Sequence, residues 1–129
     1  MARLTIRIDL GANEAFGPGK ARLLELVEQT GSIRQAAVAM DMSYRRAWLL
    51  LRETGAMMKA PVIAAQTGGK KGGGTALTPA GRALVDCYRA IELRAETSVR
   101  DELNRFAGMT ILSSATLASR KKVTRRKAR

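Results

Sequence analysis

Leu4, Ile6 and Ile8 alternate with Thr5 and Arg7, a period of two that predicts a short strand with its aliphatics on one face, ahead of the loop GANEAFGPG. The period then lengthens. Pro18 suits a first helical position because its missing N–H has no partner there. Leu23, Leu24 and Val27, with the preceding Phe16, form a helical stripe that runs to Gly31. Ser32 predicts the start of a second helix. Its hydroxyl can accept from the Gln35 N–H while the Gln35 side chain reaches back, and Ile33, Ala36, Ala37 and Met40 then share a side. Asp41 and Met42 supply a turn, and Ser43 is a suitable cap for a third helix.

Placing the third helix at about 100° per residue sends Tyr44, Ala47, Trp48, Leu51, Gly55 and Met58 to one side. Arg45, Arg46, Leu49, Arg52 and Glu53 take the other. An apolar anchoring side and an outward side headed by Ser43, Arg45 and Arg46 is the pattern of a helix that reads a DNA major groove. There, guanidinium forks near the N-terminal end meet guanine edges or phosphates. The small residues Ala36, Ala37 and Ala47 fit a steep helix crossing over a tight turn, so Gly31 to Trp48 reads as a helix-turn-helix. The plainer alternative is a helical hairpin with its arginines in water, which would leave Leu49 exposed among them.

After Pro61, Val62 to Thr67 and Thr75 to Leu77 are predicted to pair as strands across GGKKGGG, with Lys70 and Lys71 at the tip. A basic hairpin beside a helix-turn-helix is a wing, suited to the phosphate backbone or the adjacent minor groove. GGKKGGGT lacks the G-x-x-x-x-G-K-[ST] spacing of a nucleotide phosphate loop, so nucleotide binding is disfavoured. Thr78 and Pro79 open a further helix, and beyond Gly81 neither proline nor glycine recurs before Gly108. Such a helix would run about 45 Å at 1.5 Å per residue, longer than a small domain covers. Leu84, Tyr88, Ile91, Ala95, Val99, Leu103 and Phe106 form a stripe along it, and part of that stripe is expected to meet a second copy of the chain. The pattern therefore predicts a mainly α fold with a small β wing: a winged helix-turn-helix over residues 1–77, a long dimerisation helix over 78–108 and a disordered basic tail over 109–129.

Composition narrows the chemistry. With 129 residues and 46% apolar content the chain can fill one core, and no apolar run approaches the ~20 residues of a membrane span. The start lacks a secretory pattern, so a cytoplasmic location is expected. Cys87 is the single cysteine and reads as a small buried or half-buried apolar residue. Histidine is absent, which removes the commonest metal ligand and general base, so neither an enzyme nor a cofactor is expected. The net charge is +12, but seven of the basic residues lie in Arg120 to Arg129, leaving +5 elsewhere. That tail reads either as an arm adding non-specific affinity for phosphates or as charge for solubility.

FGPGKARLLELVEQTGSIRQAAVAMDMSYRRAW and GGKKGGGTALTPAGRALVDCYRAI together resemble the N-terminal DNA-binding region of the molybdate-responsive ModE transcriptional regulators, over about Phe16 to Ile91. SYRRAW and the glycine-rich wing followed by LTPAGR are the most specific pieces. LysR-type regulators share the flavour of GSIRQAA and LTPAGR and are more distant, because this chain has Tyr44 and Trp48 at the start of the reading helix. The resemblance implies a dimeric regulator, expected as a repressor of molybdate-transport or related genes acting at palindromic operators in double-stranded DNA. It points to Ser43, Arg45 and Arg46 and the wing lysines Lys70 and Lys71 as DNA-facing, and Ser32, Arg34 and Gln35 are expected to join them. Tyr44 and Trp48 match the motif but are expected to pack. Full-length ModE proteins continue into β-barrel modules that bind molybdate, whereas MTILSSATLASRKKVTRRKAR cannot build one. Molybdate sensing by that route is thus not expected, which leaves constitutive binding, a separate effector-binding protein or another site. Two alternatives remain beside this reading: a non-specific architectural DNA binder, and a dimeric interaction adaptor without effector.

Overall fold

A computed structural model describes residues 2–67 and 74–111. Lys70, Lys71 and the basic tail from residue 112 onward lie outside the described residues. The described residues divide into two compact units, one over Thr5–Ile91 and one formed by residues 2–4 with residues 92–111.

In the first unit the predicted strand is hydrogen-bonded only at its end. β1 (Ile8–Asp9) pairs antiparallel with β2 (Ala15–Phe16), in the register Ile8 to Phe16 and Asp9 to Ala15. Phe16 thereby enters the core. α1 (Pro18–Thr30) begins on Pro18 and ends at Gly31, whose φ of 72° is the left-handed turn that glycine adopts without a Cβ penalty. Its Ala21, Leu23, Leu24 and Val27 are fully buried and form the centre of the core.

α2 (Ile33–Ala39) is capped as expected, with Ser32 Oγ accepting from the Gln35 N–H at 3.0 Å. The reciprocal half of the capping box is replaced. The Ser32 N–H donates instead to Thr30 Oγ1 at 3.2 Å, so a hydroxyl at the end of α1 already satisfies the donor that Gln35 was expected to reach. Asp41, with φ 57°, makes the turn, and α3 (Tyr44–Met57) starts on Ser43, whose Oγ accepts from the Arg46 N–H at 3.0 Å. Ala36, Ala37 and Ala47 are all buried.

β3 (Ile63–Gln66) and β4 (Gly74–Leu77) form the antiparallel wing, with Ile63 opposite Leu77 and Gln66 opposite Gly74. The wing is tied to the helices at both ends. Thr75 N–H donates to Gly31 O at 2.9 Å, and Thr78 N–H donates to Val62 O at 3.0 Å. Thr78 Oγ1 then caps α4 (Pro79–Ser98) by accepting from the Gly81 N–H at 3.0 Å. Gly81 lies so close to the Val62 carbonyl that a Cβ there would stand 2.1 Å from its oxygen.

The long helix is shorter than its sequence pattern predicts. It breaks at Val99 (φ −118°, ψ 17°), and α5 (Arg100–Gly108) follows as a separate helix. The cause lies in Thr97, Ser98 and Val99. Two β-branched residues lose rotamer freedom in a helix, and the Ser98 hydroxyl bonds the Ala95 carbonyl at 3.0 Å in competition with the backbone. Asp101 and Glu102 then favour a new N-terminus through the helix dipole.

Two residues on α4 also differ from expectation. Tyr88, expected at a dimer seam, is only 1% exposed and belongs to this chain's own core. Its ring meets Phe16 edge-on at 5.2 Å, and its hydroxyl donates to Ile6 O at 2.6 Å. Cys87, expected to be buried or half-buried, is exposed, because Gly81, Val85 and Tyr88 define the buried side of α4 and Cys87 lies well around the helix from them. No helix among the described residues is long and apolar enough to cross a membrane.

Candidate nucleic-acid interface

The buried side of α3 is Ala47, Leu51 and Thr54, with Leu50 and Met58 packed partly against the core. Thr54 was not an evident core residue. It can be buried because its hydroxyl donates to Leu50 O, one turn back, at 2.9 Å. This rotates the helix away from the expected phase. Tyr44 and Trp48, expected to pack, are 44% and 40% exposed. Leu49 is half-buried, so it does not discriminate between a DNA-reading helix and an ordinary hairpin.

Arg45 and Arg46 are exposed within the first turn of α3, and neither side chain has an ion-pair or hydrogen-bond partner among the described residues. Other arginines are committed. Arg89 makes a two-pronged contact with Glu25 at 2.9 and 3.0 Å, Arg82 binds Glu28, and Arg7 meets Asp9 at 2.8 Å. The Arg89 hydrogen bonds, with the nearby positive charges, hold the Glu25 carboxyl below the usual glutamate range despite partial burial.

Arg34 is exposed at the start of α2. Its guanidinium lies over the Tyr44 ring, 5.0 Å from the centroid, and Arg52 lies in the same way over Trp48 at 5.3 Å. Ser32, Arg34 and Tyr44 border a cleft of about 480 Å³ whose other wall is Gln66, Thr67, Gly74 and Thr75 of the wing. Trp48 and Arg52 border a second cleft of about 610 Å³ against Val62 and Ile63. Arg46 faces elsewhere, over a third cleft shared with Arg7, Met42 and Leu50. The hydroxyls of Ser32 and Ser43 accept cap bonds and so retain an O–H that can donate to a ligand.

Among the described residues no group of three or more Cys, Asp or Glu side chains could hold a metal ion. What the fold and this surface define is a winged helix protein with an arginine-bearing helix beside its wing.

Comparison with known proteins places that class more closely. The chain is 34% identical over 111 residues to the molybdenum transport protein ModE of Azotobacter vinelandii, a match covering 84% of this chain and 40% of the relative. It is 43% identical over 77 residues to the molybdenum-pterin-binding protein MopB of Rhodobacter capsulatus, covering 60% of this chain and 28% of the relative. A third relative is the DNA-binding transcriptional dual regulator ModE of Escherichia coli strain K12, 35% identical over 87 residues, with 67% of this chain and 33% of the relative covered. Several of the relatives that the chain matches are ModE proteins, among them transcriptional regulators. It spans less than half the length of these relatives. No family model matches it.

Proposed function

We propose that this chain binds double-stranded DNA in a sequence-specific manner as a homodimer and regulates transcription, as a repressor of molybdate-transport or related genes. The observation that carries the reading is the outward side of α3. Arg45 and Arg46 stand unpartnered among the described residues near the helix start, on an element anchored by Ala47, Leu51 and Thr54. Guanidinium groups so presented fit guanine O6 and N7 or the flanking phosphates. Ser32, Gln35 and Ser43 supply hydroxyl and amide donors beside them, and Lys70 and Lys71 of the wing are assigned to phosphate contact. The names of the chain's homologues, in transcription regulation and molybdenum transport, support the choice of target genes.

The test is a fluorescence-anisotropy titration of duplex from the gene's own upstream region against a scrambled duplex, over a salt series, with and without molybdate. The expected result is a preference of ~10³-fold or more for the native duplex. Arg46→Ala is expected to weaken binding by about 1–3 kcal/mol and to relax specificity at one base pair. Equal binding to both duplexes, together with equal binding in a genome-wide site selection, would reduce the protein to a non-specific binder.

A further inference from the structure

The two clefts between the helices and the wing hold positive charge in a way that the tip of α3 does not. In each, an arginine is laid on an aromatic ring: Arg34 on Tyr44 and Arg52 on Trp48, at 5.0 and 5.3 Å. A guanidinium held over a ring by cation–π attraction still has N–H donors free, and these can meet a phosphate as a planar fork. The residues lining the two clefts include no carboxylate, and Lys59 adds a further positive charge to the second. Arg7, Arg82 and Arg89 each meet an acid, whereas Arg34 and Arg52 have rings for partners. Arg52 has no part in the reading of α3 as a row of base-contacting residues, so its placement needs its own account.

The location supplies it. In the first cleft, Ser32, Arg34 and Tyr44 face the wing residues; in the second, α3 faces the segment that leads into the wing, Lys59 to Val62, and Ile63 at the start of β3. Neighbouring major and minor grooves of a duplex are divided by one sugar-phosphate strand. A protein with a helix in the first groove and a hairpin at the second must straddle that strand, and these clefts lie where it passes. We propose that Arg34 and Arg52, oriented by Tyr44 and Trp48, grip phosphates of the single DNA strand that crosses between reading helix and wing. This rests on the DNA-binding reading above. It gives the four residues a sequence-independent positioning role, separate from base reading by Arg45 and Arg46.

The experiment measures the slope of log K against log salt for the full chain on its selected duplex and on a scrambled one. Arg34→Ala and Arg52→Ala are each expected to flatten the slope by about 1.8 for the bound dimer, equally on both duplexes, as loss of one phosphate contact from each protomer requires. Trp48→Leu and Tyr44→Leu keep the arginine, so they should leave the slope unchanged and weaken binding about two- to fivefold, with Trp48→Phe recovering most of it. In a second arm the wild-type protein is titrated on duplexes in which single phosphates are replaced by neutral methylphosphonates. One position should weaken the wild type but not Arg52→Ala. Unchanged slopes in both arginine variants, with the wild type still binding DNA, would overturn this inference alone. Failure of the wild type to bind any duplex would remove the DNA-binding reading and this inference with it.

Discussion

At the scale of single residues, two glycines are expected to respond to alanine with opposite signs. Gly55 lies inside α3 with nothing within 4 Å of where a Cβ would be, so Gly55→Ala should raise stability by about 0.8–1 kcal/mol through helix propensity alone. Gly81 lies inside α4 and would gain the same propensity, but its Cβ would stand 2.1 Å from Val62 O and 3.0 Å from Val62 C. Those are backbone atoms, and the Val62 carbonyl also accepts the Thr78 N–H, so the contact cannot be relieved by a rotamer change. Overpacking of this kind costs about 1–3 kcal/mol, and with two backbones in contact the upper end is expected, so the steric cost exceeds the propensity gain. Thermal unfolding of the two variants checks this. A stabilised Gly81→Ala protein would show that α4 can shift away from the wing.

At the scale of elements, α1 and α4 are fastened by two rungs, Glu25 with Arg89 and Glu28 with Arg82. The Glu25 rung carries an acid dependence. Its folded-state pKa is depressed, chiefly by the Arg89 hydrogen bonds, so its contribution is complete above the unfolded value of about 4.3 and is lost as pH falls through the lower folded value. Glu25→Gln should therefore be less stable than wild type at pH 7, and the gap should close as the pH is taken below about 4. Melting curves across that range test it; a gap that persists at the acid end would assign the loss to packing instead.

Elements whose ends are set by local chemistry were legible in the sequence. Pro18, Ser32, Ser43 and Thr78 mark helix starts because each removes or satisfies a nearby backbone donor, and Gly31 marks a helix end because it takes up a left-handed φ while its N–H donates to Val27 O. What could not be read was phase and continuity. Tyr44 and Trp48 drew the predicted buried side of α3 toward themselves, while the true side includes Thr54, whose burial depends on a bond back to Leu50. The break at Val99 falls where no proline or glycine marks it, and follows from a summed weakness of three residues rather than one strong signal. Arg45 and Arg46 were legible as an exposed pair, whereas the stacking of Arg34 and Arg52 depends on tertiary placement that spacing does not encode.

At the scale of the molecule, the decisive feature is which apolar groups remain uncovered. Tyr88 belongs to the core of the first unit and Leu84 packs partly against it, so any seam with a second chain must be built from the other members of the predicted stripe. Ile91, Leu93 and Phe106 are exposed, as are Met109 and Ile111, while Ala95, Val99 and Leu103 are half-buried. So many exposed large side chains on a short stretch of chain call for a covering surface, and a second copy fits the paired half-sites that two reading helices would require. Phe106→Glu is chosen because Phe106 is 64% exposed, so the change leaves the core of this chain intact while placing a charge within the proposed seam. Sedimentation equilibrium should give a dimer for the wild type and a monomer for the variant at the same concentration. Because a dimer engages its second half-site intramolecularly, affinity for a palindromic duplex should fall by about 10²-fold or more in the variant, with affinity for an isolated half-site unchanged. A variant that remains a dimer would move the seam away from Phe106, and a wild type that sediments as a monomer would remove the two-fold operator from the proposal.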